Sequence, residues 1–383
     1  MHYRMLGNTG IKTSILGFGC MRLPTVAWDK ARIAEKEAIK IIRKGIDSGI
    51  TYVDTAEPYH MGESEIVVGK ALKNGYRDRV TLATKSPVWK DDFNKPEHFE
   101  DYLNLQLKKL DVDHIDIYLL HSLDRTSWKE KVLGFDLIER AEKARDEGKI
   151  RYLGFSFHDS PDVLKEIIDS NAFRVMLVQY NILNPANEEM VSYAAEKGLG
   201  VAIMGPVAGG RLAGEPPVEM HQWLNRGRRN FVDMALKYVW TNPSVSVALS
   251  GMGSEQMVDD NLLIASDDTY TLSEEEMETA QDIRRKFKEL TDNICTACEY
   301  CMPCPNEVNI PFIFTALTYY QVYNQKERAR LYYKNIGNVE EYYPPGKDAT
   351  ACVECGECEK KCPQKIPIAE QLKKAHQILS TGV

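Results

Sequence analysis

The sequence predicts a (β/α)8 barrel followed by a smaller, mostly helical domain that is rich in cysteine. Between Ser14 and about Ser250, short apolar runs alternate with amphipathic stretches, which gives eight strand–helix units. Eight of the nine cysteines then lie in two runs near the C-terminus. The chain of 383 residues is long enough for one large domain and one small domain.

The strand candidates are short apolar runs, as expected for parallel strands that are buried on both faces of a sheet. They are Ser14–Gly19, Thr51–Asp54, Val80–Thr84, Ile115–Leu120, Tyr152–Ser156, Val175–Tyr180, Gly200–Met204 and Val245–Ser250. Helical patterns lie between and after them, at 33–48, 63–74, 96–109, 134–147, 161–170, 187–197, 231–241 and 254–264. A doubly wound sheet is the alternative, but the Gly-x-Gly-x-x-Gly turn that marks it does not follow the first strand.

Further elements are predicted at both ends of the barrel segment. The pattern of residues 3–14 predicts a β-hairpin that closes the bottom of the barrel. A long polar helix is expected over Ser273–Leu290, with a capping box between its first residue and Glu276. Beyond it, helix-like stretches lie at 313–320, 325–333 and 368–379. We therefore predict two domains, residues 1–290 and residues 291–383.

The two cysteine runs predict two [4Fe–4S] clusters in a ferredoxin-like domain. Three cysteines at a spacing of three, completed by a cysteine beside a proline, are typical of four-iron clusters, and in two-cluster ferredoxins the fourth cysteine ligates the other cluster. Structural zinc is the alternative, but zinc sites usually take cysteine pairs that are a dozen or more residues apart. The two runs are Cys295, Cys298, Cys301 and Cys304 before Pro305, and Cys352, Cys355, Cys358 and Cys362 before Pro363.

The composition argues against several classes of partner and location. A net charge of -8 gives no basic surface for nucleic acid. No apolar run approaches the ~20 residues that span a bilayer, and the N-terminal segment lacks the apolar stretch of a signal peptide. Only Cys20 lies in the first 294 residues, so the cysteines are grouped as ligands rather than spread as disulfides. This grouping predicts a reducing, cytoplasmic location.

Four polar residues fall at or just after the ends of three consecutive predicted strands, where barrel enzymes place their working residues. They are Asp54, Tyr59, Lys85 and His121. A tyrosine hydroxyl can protonate a carbonyl oxygen, and a nearby ammonium held by a carboxylate lowers the ordinary phenol pKa of about 10. A histidine can hydrogen-bond the substrate oxygen. Each residue alone also has an ordinary structural interpretation, but together they predict carbonyl reduction or alcohol oxidation.

These motifs resemble the aldo-keto reductase superfamily over residues 1 to about 290. Asp54, Tyr59, Lys85 and His121 match the catalytic tetrad of that family. The whole chain is similar to the branch that carries a C-terminal ferredoxin-type domain with four-iron clusters. The resemblance implies that Tyr59 is the general acid/base, that Lys85 and Asp54 tune it, and that His121 orients the carbonyl. It implies an oxidoreductase that transfers hydride between NAD or NADP and a small carbonyl or alcohol substrate.

The resemblance also implies nucleotide contacts along the later strands. Phe157 stands where the family usually has asparagine, and the segment 250–261 lacks the basic residues that usually bind a 2′-phosphate. The pattern favours NAD over NADP, unless a basic residue from elsewhere supplies that contact. The implied contacts are Ser156 and Gln179 for the nicotinamide, Gly205, Pro206, Val207 and Gly209 for the pyrophosphate, and Ser250, Gly251, Met252, Gln256 and Asn261 for the adenosine.

Three functions are consistent with this combination of a barrel and clusters. The intact tetrad favours a reductase whose clusters serve structure, sensing or electron transfer. The second is an electron-transfer protein that passes electrons through the clusters to a partner, which normally requires a flavin or another converter. The third is a non-catalytic redox sensor. The aromatic candidates for a substrate pocket are Trp89, Trp128, Tyr180 and Trp223.

Overall fold

The structure is a computed structural model that describes residues 1–26, 29–213, 230–338 and 343–381. The chain divides into two compact units. The first comprises Met1–Pro206 and Leu236–Thr271, and the second comprises Val207–Ala235 and Leu272–Val383. Trp223 lies outside the described residues.

Eight parallel strands of the first unit close into a barrel in which each strand pairs with the next along the chain and the last pairs with the first. Neighbouring barrel strands are therefore successive barrel strands of the chain, as the alternating strand–helix pattern predicts, and the (β/α)8 fold is confirmed. The barrel strands are β3 (Leu16–Gly19), β6 (Tyr52–Asp54), β7 (Thr81–Ser86), β8 (Ile115–Leu123), β9 (Ile150–Phe157), β10 (Val175–Gln179), β11 (Gly200–Met204) and β12 (Val247–Ser250). Two hairpins accompany them, β1 (Tyr3–Met5) with β2 (Lys12–Ser14) and β4 (Thr25–Val26) with β5 (Asp29–Ile33).

Within the described residues, an α-helix follows each barrel strand. In α1, acidic residues occupy the first turn, where they favour the positive end of the helix dipole, and the apolar stripe Ala38, Ile41, Ile42 and Ile46 is buried as predicted. Ile33 was expected in this helix but ends β5 instead. The helices are α1 (Glu35–Asp47), α2 (Ser64–Ala71), α3 (His98–Leu110), α4 (Leu137–Asp146), α5 (Pro161–Asp169), α6 (Glu188–Glu196), α7 (Phe231–Thr241) and α8 (Glu255–Ala265).

The N-terminal hairpin packs into the barrel interior through Leu6. This side chain is fully buried among the inward-facing residues of the strands, including Tyr52, Leu177 and Val247. A Cβ placed at Gly200, the first residue of β11, would lie 2.6 Å from Leu6 Cγ. The close approach of Leu6 therefore requires glycine at this strand start, and the predicted hairpin is confirmed.

The second unit is mostly helical. It contains α9 (Glu274–Leu290), α10 (Ile310–Gln321), α11 (Lys326–Lys334), α12 (Glu357–Lys361) and α13 (Ile368–Leu379). The predicted capping box of α9 is present, with Ser273 and Glu276 bonded to each other's backbone amides. Phe314 and Leu317 of α10 and Leu372 of α13 share one apolar core. A domain boundary at residue 290 stays a prediction.

No helix in the described part of the chain is both long enough and apolar enough to cross a bilayer.

Candidate functional site

The ends of three neighbouring barrel strands bring together a buried cation and a buried anion. Lys85 Nζ lies 2.7 Å from Asp54 Oδ1 and donates a 2.6 Å hydrogen bond to the carbonyl oxygen of Thr55. Lys85 is 1% exposed and Asp54 is 3% exposed. Burial lowers the pKa of Lys85 and raises that of Asp54, and the attraction between the two opposes both shifts.

Tyr59 lies directly beside this pair. It begins a short 3-10 turn, Tyr59–Gly62, that follows β6. Lys85 Nζ is 4.7 Å from the centroid of the Tyr59 ring. The ring of His121 meets that of Tyr59 edge-on, with centroids 6.3 Å apart, and meets that of Trp89 in the same way at 6.4 Å. All four predicted tetrad residues are thus brought to one end of the barrel, with one candidate pocket residue next to them.

The strand that carries His121 is irregular at this residue. The pairing of β8 with β9 shifts register between Leu120 and Leu123, and Ser122 has a φ of +61°. The Ser122 amide donates a 2.7 Å hydrogen bond to Ser156 Oγ, which holds the irregular segment in place. Such bulges redirect a side chain at strand ends and are frequent beside active sites.

His121 is held in its neutral form. Its side chain is 2% exposed. Burial, reinforced by the positive charge of Lys85, lowers the pKa of His121 well below its usual range. The neutral ring keeps an N–H that can donate to a substrate oxygen without adding a second cation beside Lys85.

Replacing His121 with glutamine is expected to remove part of the acid sensitivity of the fold. Below pH about 6.5 the unfolded chain binds a proton at this side chain and the native state does not, so stability falls as pH drops from there toward the native pKa. The loss is about 1.4 kcal/mol per pH unit. Urea unfolding at several pH values checks this, with His114→Gln at a 41% exposed histidine as the control. An unchanged pH slope in His121→Gln would contradict it.

A buried polar network that the sequence analysis missed supports the backbone of Lys85. Gln106 Nε2 donates a 3.0 Å hydrogen bond to the Lys85 carbonyl oxygen and a 2.6 Å bond to Glu65 Oε1. Thr84 donates to the same Glu65 oxygen at 2.6 Å, and Tyr118 donates to Gln106 at 2.8 Å. Glu65 and Gln106 lie on the buried faces of α2 and α3. A polar residue at an otherwise apolar position of a helix was the sequence signal for this network.

The predicted nucleotide contacts lie on strand ends and on the turns after them. Ser156 is the residue before the last of β9 and is 1% exposed, and Gln179 ends β10. Gly205 follows β11 with a φ of +61°, and its carbonyl oxygen accepts a 2.8 Å hydrogen bond from Asn181. Pro206 ends that part of the first unit, whereas Val207 and Gly209 belong to the second unit.

The predicted adenosine segment has an internal bond and cationic neighbours. Asn261 Nδ2 donates a 2.7 Å hydrogen bond to Ser250 Oγ, and Gln256 bonds Asp260 at 2.8 Å. Gly251 is exposed, while the Met252 side chain is buried.

Although this segment contains no basic residue, cations from elsewhere in the first unit lie next to it. A Cβ placed at Gly251 would lie 3.2 Å from Arg22 Cδ. Lys40 pairs with Glu255 at 2.6 Å, and Lys44 pairs with Asp259 at 2.7 Å.

Two of the aromatic candidates for the substrate pocket, Trp128 and Tyr180, are buried and hydrogen-bonded. Trp128 is 2% exposed and its Nε1 donates a 3.0 Å hydrogen bond to Glu166. Tyr180 is 1% exposed and its hydroxyl donates to Glu188 at 3.2 Å. Both side chains pack in the protein interior with partners of their own.

The two cysteine runs of the second unit lie close together. A recess with about 360 Å³ of empty space is lined by Cys304 from the first run and by three thiols from the second, Cys352, Cys355 and Cys358. Burial and the neighbouring thiols of both runs raise the pKa of Cys301, and these thiols are Cys298, Cys295, Cys362 and Cys358.

The backbone of the first run has the turns that wrap a chain around a group. Ala297 and Glu299 have φ values of +49° and +70°. The Ala297 amide donates a 3.3 Å hydrogen bond to Cys295 Sγ. Among the described residues, no group of three or more His, Cys, Asp or Glu side chains is arranged to hold a metal ion. The recess and the mutual influence of the thiols show that cysteines of the two runs are neighbours.

Comparison with known proteins identifies both parts of the chain. Residues 15–285 match the aldo/keto reductase family, and residues 294–366 match a 4Fe-4S dicluster domain. Probable aldo-keto reductase 1 of Glycine max is 32% identical over 221 residues, which are 56% of this chain and 62% of that protein. L-galactose dehydrogenase of Arabidopsis thaliana is 28% identical over 313 residues, 75% of this chain and 96% of the relative.

A solved structure agrees with these sequence relatives. The holo form of aldo-keto reductase AKR11C1 from Bacillus halodurans has a TM-score of 0.62 and 29% identity, and the match covers 74% of this chain and 96% of that one. The match of the family model extends over most of the chain and includes all four tetrad positions. The chain therefore belongs to the aldo/keto reductase family, and a 4Fe-4S dicluster domain follows its barrel.

Proposed function

We propose that the protein transfers hydride between a nicotinamide nucleotide and a small carbonyl or alcohol substrate. The observation that carries this proposal is the buried Lys85–Asp54 pair beneath the ring of Tyr59, with neutral His121 edge-on to the same ring. A bound nicotinamide supplies the hydride in reduction and accepts it in oxidation.

The protein residues manage the proton and the charge on oxygen. Tyr59 donates its hydroxyl proton to the carbonyl oxygen during reduction and takes it back during oxidation. Lys85 stabilises the phenolate, and Asp54 holds Lys85 charged and in place. His121 donates a hydrogen bond to the same oxygen and stabilises the negative charge that develops there.

An anaerobic assay of the holo protein tests this function. NADH and NADPH are added first alone and then with a panel of small aldehydes and ketones, while visible and EPR spectra are recorded. We expect the nucleotide to be oxidised only after a carbonyl is added. No nucleotide binding and no turnover with any carbonyl would overturn the proposal.

We propose that the nucleotide lies along the ends of β9, β10, β11 and β12. Ser156 and Gln179 would contact the nicotinamide, and Gly205, Pro206, Val207 and Gly209 would cover the pyrophosphate. The adenosine would contact Ser250, Gly251, Met252, Gln256 and Asn261. The absence of basic residues in 250–261 favours NAD, whereas the position of Arg22 beside Gly251 offers one guanidinium to a 2′-phosphate.

Arg22→Met is therefore expected to weaken NADP(H) binding about 10- to 150-fold and to leave NAD(H) binding unchanged, since a charged hydrogen bond contributes about 1.5–3 kcal/mol. Fluorescence titration with both nucleotides measures this. Arg79→Met, which removes a surface ion pair with Asp47 in the same unit, serves as the control. An equal loss of affinity for NAD(H) would contradict a 2′-phosphate role.

We further propose that the second unit holds two [4Fe–4S] clusters with crossed ligands. Cys295, Cys298, Cys301 and Cys362 would hold the first cluster. Cys352, Cys355, Cys358 and Cys304 would hold the second, in agreement with the thiols that line the recess. Bound clusters supply one-electron redox chemistry. Grouped thiols of this kind suit a reducing compartment, and we propose that the protein is cytoplasmic.

The double variant Cys304→Ser/Cys355→Ser distinguishes crossed ligands from ligands that stay within each run, because Cys304→Ser alone removes about four irons per chain under either arrangement. If the ligands are crossed, Cys304→Ser keeps the cluster held by Cys295, Cys298, Cys301 and Cys362, and iron falls from about eight to about four atoms per chain. Iron and sulfide analysis gives the content, and Cys20→Ser, which changes a buried thiol of the first unit, is the control. In Cys304→Ser/Cys355→Ser, crossed ligands predict that about four irons remain, whereas ligands within each run predict the loss of both clusters.

Electron transfer through the clusters is the second candidate function. The observation that favours it is the exposure at the second cysteine run, because Cys355 is exposed and Val353 is 64% exposed. A thiol at the surface shortens the distance to a partner. Bleaching of the cluster absorbance by NADH or NADPH alone in the anaerobic assay would favour this function over the reductase.

A further inference from the structure

Arg211 is a cation placed beside the first cysteine run, within the second unit. Its guanidinium carbon lies 5.9 Å from the centroid of the Phe287 ring, and its Nε is buried without a hydrogen-bond partner. Burial lowers the pKa of Arg211, while Tyr323 and Cys295 raise it. In turn, the positive charge of Arg211 opposes the effect of burial on the Cys295 thiol. The guanidinium and the thiol are therefore within electrostatic reach of each other.

The loop that carries Arg211 packs on the same cysteine run. Gly209 has a φ of +68°, and a Cβ placed there would lie 2.4 Å from the carbonyl oxygen of Thr296, the residue after Cys295. At the other end of the loop, the Tyr323 hydroxyl donates a hydrogen bond to the Arg211 carbonyl oxygen. The backbone of the loop Val207–Arg211 is thus held against Thr296 of the first run and by Tyr323, two residues after the end of α10.

A buried cation needs a nearby anion to offset the loss of hydration. A four-iron cluster with four thiolate ligands carries net negative charge, and one-electron reduction adds one more negative charge without making or breaking a bond. The net charge around a cluster is one of the factors that set its reduction potential. A fixed guanidinium beside Cys295 therefore stabilises the reduced form more than the oxidised form.

We propose that Arg211 raises the reduction potential of the first cluster and that the loop Val207–Arg211 links the redox state of that cluster to nucleotide affinity. This inference rests on the proposed function, because Val207 and Gly209 of the same loop are the proposed pyrophosphate contacts. In the proposed arrangement, nucleotide phosphates and a cluster would both present negative charge to this loop. Reduction of the cluster by an external one-electron reductant consequently weakens nucleotide binding. By linkage, bound nucleotide lowers the equilibrium constant for cluster reduction by the same factor, and so lowers the reduction potential.

The first test is the midpoint potential of the first cluster, measured by EPR-monitored titration of the holo protein. In Arg211→Gln, reduction is expected to be about tenfold less favourable, a downward shift of about 59 mV for a one-electron couple. Arg211→Lys, which keeps the charge, is expected to keep a midpoint potential close to that of the unmodified protein. Arg285→Gln removes a 71% exposed arginine of α9 and leaves the potential unchanged. An unchanged potential in Arg211→Gln, or equal shifts in the Gln and Lys variants, would overturn the assignment.

The second test uses the unmodified protein and so does not depend on whether Arg211→Gln retains its iron. NADH and NADPH are titrated by fluorescence into oxidised protein and into protein reduced with titanium(III) citrate. Binding to the reduced form is expected to be about fivefold weaker. Equal or tighter binding to the reduced form overturns the linkage and leaves the reductase proposal standing. No binding in either state removes the reductase proposal itself.

Discussion

Tyr59→Phe is expected to lower kcat/KM for carbonyl reduction about 10³-fold while nucleotide affinity stays within about twofold. The substitution removes the hydroxyl that gives the proton, and general acid catalysis contributes about 10²–10⁴-fold. The ring and its contact with Lys85 at 4.7 Å are retained, so the loss is chemical rather than structural. Nucleotide affinity is preserved because Tyr59 is not among the proposed nucleotide contacts.

Steady-state rates with a reactive aldehyde and fluorescence titration of the nucleotide measure the two quantities for Tyr59→Phe. Tyr76→Phe is the matched control, because it removes an exposed hydroxyl that bonds Asp47 at 3.0 Å and is not one of the tetrad. Turnover of Tyr59→Phe near the wild-type rate would assign the proton transfer to another group.

Lys85→Met is expected both to abolish most turnover and to destabilise the first unit. The variant leaves Asp54 buried at 3% exposure without its 2.7 Å partner, and Asp54 Oδ2 already has no hydrogen-bond partner. Removing one member of a buried ion pair costs about 3–5 kcal/mol of unfolding free energy. Loss of the ammonium also leaves the phenolate of Tyr59 unstabilised, and we expect kcat to fall by about 10² or more.

The double variant Lys85→Met/Asp54→Asn separates these two effects. It removes the buried charge as well as its partner, so most of the lost unfolding free energy is expected to return while turnover stays low. Urea unfolding of the holo protein gives the first quantity, and aldehyde reduction gives the second. Recovery of turnover in the double variant would show that Lys85 acts only by balancing Asp54.

The barrel could be predicted from the sequence because its signal is local and repeated. Each strand is an apolar run and each helix has one apolar face, so β11 and α7 were located within their observed bounds. The hairpin β4–β5 and the π-helical turn Ser127–Leu133 were not predicted. The π-helical turn carries Trp128, whose 3.0 Å bond to the distant Glu166 is recorded by no local pattern.

The same contrast holds in the candidate site. The tetrad was visible because four reactive residue types fall at strand ends, and the cysteine spacing was visible in a single segment. The support of Lys85 by Gln106, and the place of Arg211 beside Cys295, join residues that are far apart in the sequence. An arginine in a loop has no periodicity, so only the folded chain reveals which charge it faces.

The most direct test of the central claim follows a labelled hydride. The anaerobic holo protein is given NADH or NADPH deuterated at C4 of the nicotinamide together with a carbonyl substrate, and the alcohol product is examined by mass spectrometry. The proposed mechanism predicts deuterium on the carbinol carbon, with retention of the label depending on which face of the nicotinamide carries it. Alcohol without deuterium from either labelled face, formed while the nucleotide is consumed, would show that the electrons travel through another route.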